Sequence, residues 1–166
     1  MAGPSLVLVD TMIVIEARRT GCWNSITGGR RIVTVDTCAG ELRSGGDWLP
    51  GYIPVGEAAL ARATVQPLPA AAAVELRLRY PEADGMDPGE RDLCALALSL
   101  AEEFQLCSCD KAAVRAAHAL GWIERVISLE ALADSVGREP RPPLKVQYTE
   151  ARLAEWRTSL LLHGTI

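Results

Sequence analysis

Aromatic side chains are scarce in this chain: one Phe, three Tyr and four Trp make up 5% of 166 residues. The length suffices for one domain with a proper core, and that core must rest on Leu, Val, Ile and Ala. Long hydrophobic runs are missing too. No stretch approaches the roughly 20 apolar residues that span a bilayer, which predicts no membrane-spanning segment. Residues Met1 to Ser5 carry no Lys or Arg, and the apolar run behind them is too short for a secretory leader. That pattern predicts a cytoplasmic chain. Positive charge is not in excess: the net charge is −4. This argues against a protein that holds nucleic acid by bulk electrostatics and leaves contact through a local patch open. Histidine is limited to His118 and His163, far apart and without a neighbouring nucleophile, so a histidine-dependent triad finds no support. The five cysteines are an odd number, and only Cys107 and Cys109 are close. No second pair follows at zinc-ribbon spacing, and all five read as reduced, small apolar residues.

What is present is an ordinary globular balance, 49% apolar and 23% charged. The chain is organised around Leu6-Val7-Leu8-Val9-Asp10-Thr11. Four apolar residues in a row, apolar on both faces, predict a buried parallel strand. Asp10 then stands at the carboxyl end of that strand, where open α/β sheets bind ligands. It is also a good N-cap for the helix expected from Met12 to Arg19, because a carboxylate accepts orphan backbone N–H groups.

Further strands are predicted at Ile32–Val35, Gln105–Cys109 and Val126–Leu129, with a short edge strand at Tyr52–Val55. Helices are predicted at Cys38–Arg43, Gly56–Arg62, Ala70–Tyr80, Pro88–Phe104, Lys111–Leu120 and Glu130–Val136. Ser44–Gly51 reads as a loop. Gly137–Pro143 is a proline-rich break, and Tyr148–Leu162 a last amphipathic helix with Leu153, Trp156, Leu160 and Leu161 on one side. Trp156 is the expected largest buried group of that helix. Alternating strands and helices imply an α/β fold: a mainly parallel sheet flanked by helices on both faces, with a C-terminal helical extension. The division falls at 1–136 for the domain and 137–166 for the break and last helix, packed on the domain or on a dimer partner.

Four carboxylates stand in comparable places. Asp10 and Asp110 each end an apolar strand; Glu41 and Asp92 lie in the first turns of helices. Asp87, Pro88 and Glu90 match a capping box, so Asp87 and Glu90 are assigned to structure. Asp92 lies beyond that box and is not needed by it. Four converging carboxylates raise one another's pKa unless a cation neutralises them. All-oxygen ligands suit Mg²⁺ or Mn²⁺.

Val9-Asp10-Thr11, Asp36 to Leu42 with Glu41, Gly89 to Ala97 with Asp92, and Leu106 to Lys111 with Asp110 together resemble, in order and spacing, the four acidic motifs of the PIN domain. The likeness runs from about Leu6 to Leu132. It implies a small metal-dependent ribonuclease, with Asp10, Glu41, Asp92 and Asp110 as catalytic residues holding Mg²⁺ or Mn²⁺. The resemblance further implies RNA as substrate, an antitoxin protein as partner where the chain is the toxin of a toxin–antitoxin pair, and a homodimer. Thr11 and Ser108 are candidates to orient water or phosphate, and Lys111, Arg30 and Arg31 to contact phosphates. Two positions depart from the family pattern: Met12 where Asn is common, and Cys109 where many members have a second acid. These departures keep open a second reading, a non-catalytic PIN-like module that binds RNA or protein. A third, phosphoryl transfer with Asp10 as nucleophile, ranks last because Met12 occupies the place of the second Asp it needs.

Overall fold

Every residue of the first strand, β1 (Leu6–Val9), is buried, and the rest of the fold is laid out on its two sides. The computed structural model describes residues 6–45 and 51–166. After β1 the chain runs through α1 (Thr11–Arg19), α2 (Trp23–Gly29), β2 (Arg31–Val35), α3 (Asp36–Ser44), α4 (Glu57–Leu60), β3 (Thr64–Gln66) and α5 (Ala70–Arg79). It continues through α6 (Pro88–Ser99), β4 (Gln105–Cys107), α7 (Lys111–Ala119), β5 (Val126–Ile127), α8 (Leu129–Asp134) and α9 (Glu150–His163).

The strands form one all-parallel sheet in the order β3-β2-β1-β4-β5. Successive side chains of β1 point to opposite faces. Leu6 and Leu8 join a core built with α5, α6, α7 and α9. Val7 and Val9 join a second core with α1, α2 and α8. This is the α/β architecture that the alternation of elements implies. No helix among the described residues is long and apolar enough to cross a membrane.

The strand order positions the site. The chain adds β2 and β3 on one side of β1, then returns to add β4 and β5 on the other. The direction of winding therefore reverses between β1 and β4. A crevice opens at the carboxyl ends of the strands at such a point.

Several elements differ from the sequence expectation. Tyr52–Val55 forms no strand. Pro54 lacks a ladder donor, and the place beside β2 is taken by Thr64–Gln66, with Val33 opposite Thr64. The loop expected at Ser44–Gly51 falls largely on Gly46–Pro50, which lie outside the described residues. The helix from Pro88 stops at Ser99, not near Phe104. There the Ser99 hydroxyl bonds back to the Leu96 carbonyl at 2.7 Å, a local competitor of the helical ladder. Phe104 instead meets Trp122 edge to face, ring centres 5.4 Å apart, with the Arg125 guanidinium 4.9 Å from its ring centre.

The last segment is bound tightly to the domain. Leu153 and Leu160 of α9 are buried, but Leu161 is exposed and Trp156 only partly covered. The largest buried side chain of the segment is Tyr148, which precedes the helix. The proline-rich stretch is stapled to α1 by Glu16, a fully buried carboxylate. Glu16 accepts two bonds from Arg19, at 2.5 and 2.8 Å, and one from the Lys145 N–H at 2.9 Å. Arg19 also donates to the Pro143 carbonyl at 2.8 Å. Burial alone would raise the Glu16 pKa; Arg19 and the Lys145 N–H outweigh it and hold the carboxyl below its ordinary value.

Candidate acidic site

Asp10 follows Val9 directly, and Val9 is paired with Cys107. Asp10 is thus set opposite Ser108 across the β1–β4 gap. Its Oδ1 caps α1 by accepting the Ile13 N–H at 2.9 Å, and its Oδ2 accepts the Ser108 hydroxyl at 2.8 Å. The Ser108 oxygen in turn accepts the Asp110 N–H at 3.2 Å. Asp110 caps α7 through the Ala112 N–H at 2.6 Å. Both strand-end aspartates are therefore helix caps and members of a carboxylate cluster at once. The two roles are compatible because a carboxylate has lone pairs for both.

The third member is Glu90. Asp87 makes no side-chain cap bond to α6, so the expected capping box does not form. Glu90 instead lines the same pocket as Asp10, in the field of the Asp110 and Asp10 charges. Burial, those two neighbours and Asp87 push its pKa up to about 8. Asp10 is raised to about 6, by burial first and by Asp110 second, against the lowering bonds from Ile13 and Ser108. At neutral pH the Glu90 carboxyl thus retains its proton.

A pocket of about 290 Å³ opens beside these residues. Asp10, Glu41, Asp87 and Glu90 line it, with Thr11 and Met12. The Glu41 carboxylate accepts the Thr11 hydroxyl. It sits so close to Gly89 that a Cβ there would stand 2.9 and 3.0 Å from its two oxygens. Gly89 is what lets Glu41 approach the first turn of α6. Met12 is about half exposed at the rim.

Asp92 is not brought to this cluster. It accepts the Thr37 hydroxyl at 2.5 Å and pairs with Arg91 at 3.3 Å, tying α6 to the start of α3. Two residues along a helix turn a side chain by about 200°, so Glu90 and Asp92 cannot face the same point. Both sides of α6 are buried, with Leu93, Cys94 and Ala97 on the Glu90 side and Ala95 and Leu96 on the Asp92 side, so helical spacing alone does not choose between the two acids. Arg30 and Arg31 are also elsewhere. Arg31 opens β2 opposite Leu6, at the amino edge of the sheet, and pairs with Glu102. Arg30 bonds Ser135 at 3.3 Å. Lys111 follows Asp110 and is exposed at the start of α7.

No family model matches the chain, and neither does any curated protein. The site must be read from its own chemistry.

The donor set Asp10, Glu41, Glu90 and Asp110 is entirely oxygen and acidic, the kind that suits a hard divalent ion. As the side chains now stand, no group of three or more His, Cys, Asp or Glu among the described residues is disposed to hold a metal. The Glu90 carboxyl holds a proton instead. The fit is one of charge and donor type. The thiols are poor alternatives, because burial raises Cys38 to about 11 and Cys94 to about 12.

Proposed function

We propose that the pocket binds Mg²⁺ or Mn²⁺ and that the protein is a PIN-like, metal-dependent ribonuclease. The observation that carries this reading is the convergence of Asp10, Glu90 and Asp110, from three separate elements, on the crevice between β1 and β4. A structural explanation covers the cap of each aspartate. It does not cover a half-buried Glu90 held against two other acids, which costs stability at neutral pH.

In this reading Asp10, Glu90 and Asp110 hold the ion, and Glu41 faces it across the pocket. The bound ion would supply an activated water and neutralise charge building on a phosphodiester oxygen. Ser108 fixes the second oxygen of Asp10. Thr11 orients Glu41. Loss of the proton held by Glu90 frees its carboxylate as a ligand. Lys111, exposed beside Asp110, is placed to meet a phosphate of single-stranded RNA. Arg30 and Arg31, at the opposite edge, have no part in this site.

The test is cleavage of an end-labelled single-stranded RNA pool by purified protein, with Mn²⁺ or with EDTA, beside the Glu90→Gln protein. Cleavage that needs Mn²⁺ and disappears in Glu90→Gln supports the reading. Equal cleavage by both proteins, or none by either in Mn²⁺, overturns it.

A further inference from the structure

Most Lys and Arg side chains are engaged by an acid, a hydroxyl, a carbonyl or a ring. Among the described residues four are not: Arg18, Lys111, Arg138 and Lys145, all of them exposed. Lys111 stands beside the acidic pocket, directly after Asp110. The other three lie at the opposite end of α1, where the stretch 138–145 crosses its last turn. There the Arg141 N–H donates to the Thr20 carbonyl at 3.0 Å, and the Lys145 N–H to Glu16. Arg138 lies over Gly21, where a Cβ would stand 3.3 Å from its Nη2. The carbonyl end of a helix attracts cations, but with only about half a charge. It does not account for three that are left without an acid.

The outward side of α1 joins the two groups. Ile13, Val14, Glu16 and Ala17 are buried. Thr11, Met12, Ile15 and Arg18 take the other side at helical spacing. Thr11 and Met12 line the pocket, and the helix rises about 10 Å from Thr11 to Arg18. Cations at both ends of one helix, with apolar Met12 and Ile15 between them, call for an extended polyanion that also carries flat apolar groups. We propose that this side of α1 is a track for single-stranded RNA: Lys111 meets a phosphate at the pocket, Arg18, Arg138 and Lys145 meet phosphates at the far end, and bases lie over Met12 and Ile15. The choice of RNA over an acidic peptide rests on reading the pocket as a phosphodiester site; the choice of a polyanion does not.

The experiment follows the fluorescence anisotropy of a labelled oligouridine of about 12 nucleotides, in EDTA, over a range of salt concentrations. It uses the full chain, the Arg18→Gln/Arg138→Gln/Lys145→Gln variant, and Arg125→Gln as a control cation placed elsewhere. Each phosphate contact adds about 0.7 to the steepness of log K against log salt for a single strand. The expected result is a slope shallower by about 2 in the triple variant, binding weakened about 10-fold at low salt, and little change in Arg125→Gln. An unchanged slope in the triple variant overturns the proposal, as does a parent that binds no RNA. An equal loss in Arg125→Gln shows only an effect of net charge and also overturns it. Displacement by polyglutamate as readily as by unlabelled RNA of the same charge gives the surface to an acidic peptide and overturns the RNA assignment. No ion is needed for binding, so the two readings fail separately. RNA held by the three cations but never cut in Mn²⁺ supports the track and sinks the ribonuclease; cutting with an unchanged slope does the reverse.

Discussion

Ser108 donates its hydroxyl hydrogen to Asp10 Oδ2 at 2.8 Å, across the gap where the winding of the sheet reverses. The same oxygen accepts the Asp110 N–H. One small side chain thus couples the ends of β1 and β4. Both Ser108 and Asp10 are buried, so the bond is shielded from water.

Ser108→Ala leaves Asp10 Oδ2 buried without its donor. The expected cost is about 1–3 kcal/mol of stability, the usual penalty for an orphaned buried acceptor. Urea denaturation of the two proteins in EDTA at pH 7 measures it. A midpoint equal to the parent's would show that water replaces the hydroxyl.

Excess Mn²⁺ is expected to raise Tm, and Asp10→Asn to abolish the rise. Binding only to the native state at ~100 times Kd adds about 2.7 kcal/mol. That is about 5–10 °C for a domain of this size. Scanning fluorimetry with and without Mn²⁺ decides it; a flat response in the parent counts against the ion site.

Glu90 and Asp92 are expected to behave differently. Glu90→Gln removes the half-buried acid from the cluster, so both the Mn²⁺ response and RNA cleavage should vanish. Asp92→Asn keeps an acceptor for Thr37 and should retain most activity and stability. The reverse outcome would return the ligand role to Asp92.

The pH dependence has a defined sign. Glu90 and Asp10 have pKa values raised from 4.5 and 3.8 to about 8 and about 6. Their contribution is fully present below their unfolded values and is lost as pH rises through about 6 and then about 8. Without divalent ions, Tm should therefore fall between pH 5 and pH 9. Glu90→Gln should flatten the upper part of that fall and be the more stable protein at pH 9, by about 2–8 °C. A parent whose Tm stays level over this range refutes the assignment.

Glu16 carries the opposite sign. Its pKa is lowered in the folded state, so its contribution is present above the unfolded value and disappears as pH falls below about 4. Glu16→Ala leaves the Lys145 N–H without its acceptor and Arg19 without its partner, and should cost about 1–3 kcal/mol, the usual penalty for an unpaired buried polar group. Limited proteolysis should then cut within 137–149 before the rest of the domain.

Much of the layout follows from local chemistry written in the sequence. The unbroken run Leu6–Val9 dictates a doubly buried strand, because both of its faces are apolar. The alternation of such runs with helical stretches dictates a parallel sheet, since parallel neighbours need crossovers. Asp10, directly behind β1, and Asp110, three residues past β4, lie at the carboxyl ends of their strands and cap the next helices. Tertiary structure decided what depends on distant partners. Whether Glu90 capped its own helix or turned toward Asp10 and Asp110 was settled by packing of α6 on the sheet. Whether Arg31 met the pocket was settled by strand direction, which sends it to the far edge. The edge strand Thr64–Gln66 exists only because β2 offers it a ladder. Tyr148 is buried because Glu16, more than a hundred residues earlier, fixes the chain beside it. Sequence spacing specifies which face a side chain takes on its own element; only the packed chain specifies what stands opposite.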